Sequence, residues 1–175
     1  PVAYSPAPGP TVEEVRYRFD QGFVGLSAYL LDASDATAFS GWSPAVIDAL
    51  NSAGAVVSLN TAPAETSTIA TAIAALDGCT VLFSHLGLPG SRAWPPSTAQ
   101  AARDLSALLD LARLPHVGVK VSGLYAASEP SHAYPHRSAD PYVQVLLDRY
   151  GPERLFWGSD FSPSLDHVSF AQTVD

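Results

Sequence analysis

Apolar runs alternate with polar-capped, amphipathic stretches along this chain, and the pattern repeats five times. Thr11-Val12-Glu13-Glu14 has capping-box spacing and predicts a helix to about residue 20. Gly22 follows, and the apolar stretch 23–31 predicts a strand. Ser43-Pro44 couples an N-cap to a proline at the first helical position, so a helix is expected to about residue 52, with Gly54 as its stop. The next strand spans 55–59. A helix over about 65–76 precedes a strand at 80–83, and a helix capped by Ser97 and reaching about residue 113 precedes a strand at 116–121. Asp140-Pro141 repeats the cap-plus-proline device, Gly151 closes that helix, and 154–157 is the last strand. Asp166 is placed to cap a final short helix. The first ten residues hold four prolines and a glycine and read as an irregular lead-in; residues 11–175 read as one domain.

Helix-then-strand repetition with short glycine-marked turns means parallel strands joined by helical crossovers. The strands are apolar on both faces, as buried parallel strands are. Two α/β architectures satisfy this: an open doubly wound sheet and a (β/α) barrel. No G-x-G-x-x-G follows the first strand and no phosphate loop occurs, which weakens a dinucleotide site.

Composition narrows the function classes. With 47% hydrophobic and 15% charged residues in 175, the chain buries a large core and is not intrinsically disordered. Nine Lys+Arg against 17 Asp+Glu leave a net charge of -8, which disfavours nucleic acid and anionic membrane surfaces as partners. No apolar run reaches the roughly 18 residues that span a bilayer. A single cysteine, Cys79, inside an apolar run, rules out an internal disulfide and a cysteine-rich zinc site. No leader pattern is read, and the expected compartment is the cytoplasm. The chain starts at Pro1 and contains no Met, so it is expected to be part of a longer reading frame.

The informative residues are those that end the strands: Asn60, His85, Lys120 with Ser122, and Asp160. In parallel α/β folds the carboxyl edge of the sheet carries the active site. On 116–121, Val117, Val119 and Val121 share one face, and Gly118, Lys120 and Ser122 share the other. Lys120 is the only lysine, and one set between valines is unlike a solvated surface charge. Val81, Phe83 and His85 share a face by alternation, as do Phe156, Gly158 and Asp160. If both faces point inward, His85 and Asp160 converge for acid/base work or metal binding. The loop 124–138 brings Tyr125, His132, His136 and Arg137 to the same edge as candidate substrate contacts. His116 begins its strand at the opposite edge and His167 falls in the last helix, so neither is a candidate.

Three segments read together: Phe83-Ser84-His85-Leu86-Gly87-Leu88-Pro89, Val119-Lys120-Val121-Ser122-Gly123-Leu124-Tyr125, and residues 151–160, which hold G-x-x-R-L-x-W-G-S-D. In order and spacing they resemble strands six, seven and eight of the amidohydrolase-related TIM barrels, the branch that includes sugar lactonases and 2-pyrone-4,6-dicarboxylate lactonase. Gly22-Phe23-Val24-Gly25-Leu26 resembles the start of strand four. The resemblance implies an incomplete (β/α) barrel, about five of eight units, strands four to eight. It implies a hydrolase that opens a lactone or related cyclic ester, a small-molecule substrate, with Asp160 activating water and His85 touching substrate or metal. Lys120, Ser122, Asn60, Tyr125 and Arg137 would line the substrate site. One divalent metal, Zn or Mn, held by His85 and Asp160, and metal-free hydrolysis both stay open. The family's H-x-H pair is absent from this chain, and Asn60 stands where strand five often carries histidine. A metal-dependent decarboxylase of the same superfamily and a catalytically silent fragment are the alternatives. An incomplete barrel would expose the 23–31 strand as an apolar edge and self-associate there.

Overall fold

A computed structural model describes residues 1–5 and 9–174. Six parallel strands form one sheet in strict chain order. They are β1 (Ala3–Tyr4), β2 (Gly25–Leu30), β3 (Val56–Thr61), β4 (Thr80–Phe83), β5 (Val117–Val121) and β6 (Leu155–Trp157). Sequential order separates the two candidate architectures. A doubly wound sheet reverses direction at a switch point; a barrel adds each strand beside the last. The sheet follows the barrel rule with six of the eight strands that closure requires.

The count exceeds the expected five, because the amino-terminal lead-in contributes β1. Ala3 pairs with Leu26 and Tyr4 with Ser27, so the outer edge is β1, and the expected bare edge at 23–31 is corrected over that stretch. Residues 6–8 of the lead-in lie outside the described residues.

Three helix caps form as the sequence predicts. Thr11 and Glu14 close a full capping box on α1 (Val12–Asp20), and Ser43 caps α3 (Pro44–Ser52). Ser97 caps α5 (Thr98–Asp104). Between the first two lies α2 (Ala33–Ser40), which the pattern missed although Asp32 caps it through two backbone N–H groups. The helix expected over 65–76 shortens to α4 (Ala70–Ala75) behind a 3-10 turn at Pro63–Glu65. The one expected over 97–113 breaks at Leu105 into α5 and α6 (Ser106–Asp110), ending in a 3-10 turn. Asp140 is the first residue of α7 (Asp140–Tyr150) and not its cap. Asp166 ends a 3-10 turn instead of opening a helix.

The sheet has two unlike faces. Leu26, Ala28, Leu30, Val57, Leu59, Val81, Phe83, Val117 and Val119 are buried in one core with Phe39, Leu50, Ile73, Leu105 and Leu146 of the helices. The opposite, open face carries Ser27, Tyr29, Ser58, Asn60, Leu82, Gly118, Lys120 and Phe156, of which Tyr29 and Phe156 are exposed. Strand contact is close: a Cβ on Gly25 would lie 1.8 Å from the Val56 carbonyl oxygen.

The amino edge of the sheet is stitched by Arg154. Its guanidinium donates to the carbonyls of Tyr150 (3.0 Å), Ala112 (2.8 Å) and Leu114 (3.1 Å). It also lies over the Tyr150 ring. That joins the end of α7 to the segment entering β5. Arg154→Met should strand those carbonyls and lower stability by about 2–4 kcal/mol, measured by urea denaturation. A loss below about 0.5 kcal/mol would mean that the guanidinium behaves as an ordinary surface group.

Candidate active site

Lys120 organises the open face at its carboxyl edge. Its Nζ donates to Ser58 Oγ on β3 at 2.6 Å and to Ser84 Oγ, just past β4, at 3.3 Å. Burial pushes the lysine below its ordinary pKa, and the nearby Asp160 carboxylate opposes that shift. Ser58 and Ser84 were not among the candidates. Alternation held the signal for Ser58, which stands two residues before Asn60 on the same face.

His85 reaches this face by a different route from the expected one. Val81 and Phe83 are fully buried against the helices, so continued alternation would send His85 there too. Instead the chain leaves β4 and turns left-handed at His85 (φ 53) and Leu86 (φ 57). The imidazole then meets Ser122, whose Oγ lies 3.1 Å from Nδ1 and accepts the His85 backbone N–H at 3.3 Å. In the tautomer that carries the ring proton on Nε2, the Ser122 hydroxyl donates to Nδ1 while it accepts the backbone N–H. Burial holds the ring below the ordinary histidine pKa; Asp160 opposes this and Lys120 adds to it. Gly123 makes room for the ring. A Cβ there would lie 2.8 Å from Nδ1, and its φ of +62° already favours glycine.

Asp160 also sits past its strand in a left-handed conformation, φ 48, which aspartate tolerates better than most residues. Its Oδ2 accepts the Tyr125 hydroxyl at 2.6 Å and lies 3.8 Å from His85 Nδ1. Among the described residues Oδ1 has no hydrogen-bond donor. The Tyr125 phenol is pushed well above its ordinary pKa, by burial first and then by its bond to Asp160.

The structure thus brings together His85, Lys120, Ser122, Tyr125 and Asp160. Asn60, one residue before the end of β3, lies on the same face, buried beside Tyr29 in register, and makes no hydrogen bond to that group. Arg137 does not belong: its guanidinium is largely exposed and pairs with Asp140 at 3.3 Å. His132 is exposed, and His136 is buried with both ring nitrogens unpartnered among the described residues.

A structural zinc takes four protein ligands and a catalytic one three. His85 and Asp160 offer two, with Nδ1 already engaged by Ser122 and Oδ2 by Tyr125. Among the described residues no group of three His, Cys, Asp or Glu could hold an ion. These residues do not complete a divalent-metal site, and the chemistry derived below uses only the chain's own groups.

His136 gives the fold a pH dependence. Burial holds its folded pKa below the ordinary value, and His167 pushes the same way. Below about pH 6.5 the unfolded imidazole binds a proton that the folded one refuses, so stability falls as pH drops through that value. The slope of urea midpoint against pH between about 7 and 5.5 should flatten in His136→Phe. Identical slopes would show that His136 titrates alike in the folded and unfolded states.

Comparison with known proteins agrees with the fold. An L-fucono-1,5-lactonase from Burkholderia multivorans is 32% identical over 97 residues, which are 54% of this chain and 33% of that protein. A 4-sulfomuconolactone hydrolase from Hydrogenophaga intermedia is 38% identical over 61 residues, 35% of this chain and 19% of that one. Two crystal structures of an amidohydrolase from Burkholderia multivorans, one with bound HEPES and one with bound zinc, superpose with TM-scores of 0.81 and 0.77. They are 22% and 21% identical, and each match covers 99% of this chain but 62% of the other. The described residues include no helix long and apolar enough to cross a membrane. The Amidohydro_2 amidohydrolase profile matches residues 2–172, and the chain belongs to that family.

Proposed function

We propose that this chain supplies the general-base side of a lactone-hydrolysing active site. The observation that carries the reading is the state of Asp160. One carboxylate oxygen is held by Tyr125 at 2.6 Å, the other has no donor among the described residues, and His85 stands beside the carboxylate. A carboxylate fixed by one oxygen and open at the other is oriented to take a proton from water. Two relatives are named for acting on lactones, which supports a cyclic ester as the substrate class.

In the proposed reaction Asp160 Oδ1 removes a proton from water as its oxygen bonds to the lactone carbonyl carbon. The carbonyl π electrons move onto oxygen. His85 Nε2–H and the Lys120 ammonium stabilise that oxyanion. Collapse re-forms the carbonyl and breaks the ring C–O bond, and the Asp160 proton passes to the leaving alkoxide. The products are a carboxylic acid, which releases its remaining proton to solvent near neutral pH, and a hydroxyl on the same open-chain molecule. Ser122 and Tyr125 act through the groups they hold, and Asn60 lines the same face.

Asp160→Asn keeps the shape and removes the base. Assayed in the full-length protein against a panel of sugar lactones and muconolactones, it should cut kcat by about 10²–10⁴-fold. KM should stay within about twofold, because proton abstraction belongs to the transition state. His85→Asn should lower kcat and raise KM together, since its N–H meets the carbonyl in both states. An Asp160→Asn protein with undiminished kcat would overturn the mechanism.

A further inference from the structure

We infer that His167, set aside on sequence grounds, positions Asp160 through Tyr125. As a statement about rate the inference rests on the lactonase reading; as a statement about geometry it stands alone.

The chain beyond β6 folds back on itself. It turns at Asp160 and at Ser162 (φ 84), then makes a 3-10 turn at Pro163–Asp166. The Ser164 N–H donates to the Asp160 carbonyl at 3.0 Å, and the His167 N–H to the Ser164 carbonyl at 3.0 Å. Two backbone bonds therefore tie His167 to the turn that carries the aspartate. The returning imidazole lies flat on the Tyr125 ring, with centroids 4.7 Å apart and planes 18° from parallel. Its Nδ1 is 2.8 Å from Ser131 Oγ, in the loop that follows β5.

These contacts form a closed circuit: Asp160 to the Tyr125 hydroxyl, Tyr125 to the His167 ring, and His167 back to Asp160 through Ser164. The hydroxyl bond fixes carboxylate rotation only while the phenol itself is held. Tyr125 belongs to a 3-10 turn at Leu124–Ala127 outside the sheet, so strand pairing does not hold it. The stacked imidazole supplies the missing restraint, and Ser131 sets the plane of the imidazole. Positioning errors near 1 Å can cost about 10²-fold in rate, so a side chain that touches no substrate can still govern kcat.

The test separates the ring from its hydrogen bond, in the full-length protein. His167→Phe keeps a flat ring and loses the Ser131 contact; it should retain most of kcat. His167→Gln keeps a polar group for Ser131 and loses the ring; it should lose roughly tenfold in kcat with KM unchanged. In a Tyr125→Phe background His167→Gln should cost nothing further, because the group it positions is gone. Additive losses, or a Gln variant as active as wild type, would overturn the inference. A crystal structure of His167→Gln decides it without any turnover. The Tyr125 hydroxyl should have left hydrogen-bond distance of Asp160, and an intact bond would refute the positioning role. If wild type opens no lactone, the functional reading fails while this structural result still stands or falls by itself.

Discussion

An ammonium group taken partly out of water must find acceptors, and that requirement shapes the working edge of this sheet. Lys120 is the only lysine in the chain, and its Nζ binds hydroxyls presented by β3 and by the end of β4. β3 and the end of β4 are thereby committed to serine where the ammonium reaches them on the open face. The apolar residues needed for a core are pushed to the opposite face, where the valines of β5 meet the helices. Gly118, one step below on the open face, has no room for a side chain: a Cβ would lie 2.8 Å from a Phe156 ring carbon. Polar rim, filled floor and helix-covered back follow from the same alternation.

The same alternation explains what could be read without coordinates and what could not. Helix caps at Thr11, Ser43 and Ser97 are local chemistry and form as expected. Strand order follows from the helix-strand rhythm once doubly wound topology is set against it. β1 was invisible because two residues among prolines carry no period; only β2 makes them a strand. α2 was missed because Ala33–Ser40 buries just Ala36 and Phe39, too few positions to show a helical stripe. Arg137 was chosen for its charge and loop, but a guanidinium three residues before Asp140 finds its partner locally.

His85 and Asp160 show the limit more sharply. Counting by twos put both on inward faces, and both do meet at the site, but the count is not the reason. Each lies beyond its strand, where a left-handed turn replaces the period-two rule. For His85 the rule would have led into the core behind Phe83. What gives it room on the open face is Gly123, past the next strand, whose missing side chain leaves space for the imidazole. Space of that kind is a tertiary property, and no local pattern encodes it. His167 is similar: it earns a place only because the chain doubles back after Asp160.

Charge balance links these details to the proposed reaction. In the resting site the Lys120 cation faces the Asp160 anion, with a neutral imidazole between other donors. When Asp160 takes the proton from water its negative charge disappears, and an equal charge forms on the substrate oxygen. The site holds one cation and one anion before and after; only the anion has moved, toward the ammonium and the imidazole N–H. Because the net charge stays constant, Lys120 need not change its protonation and no second cation is required to keep the interior balanced. A half-buried lysine near a half-buried carboxylate is costly as a static arrangement, since both lose water. It becomes useful when the carboxylate's charge is the one that migrates, for the preorganised donors are then already aimed at where the charge arrives.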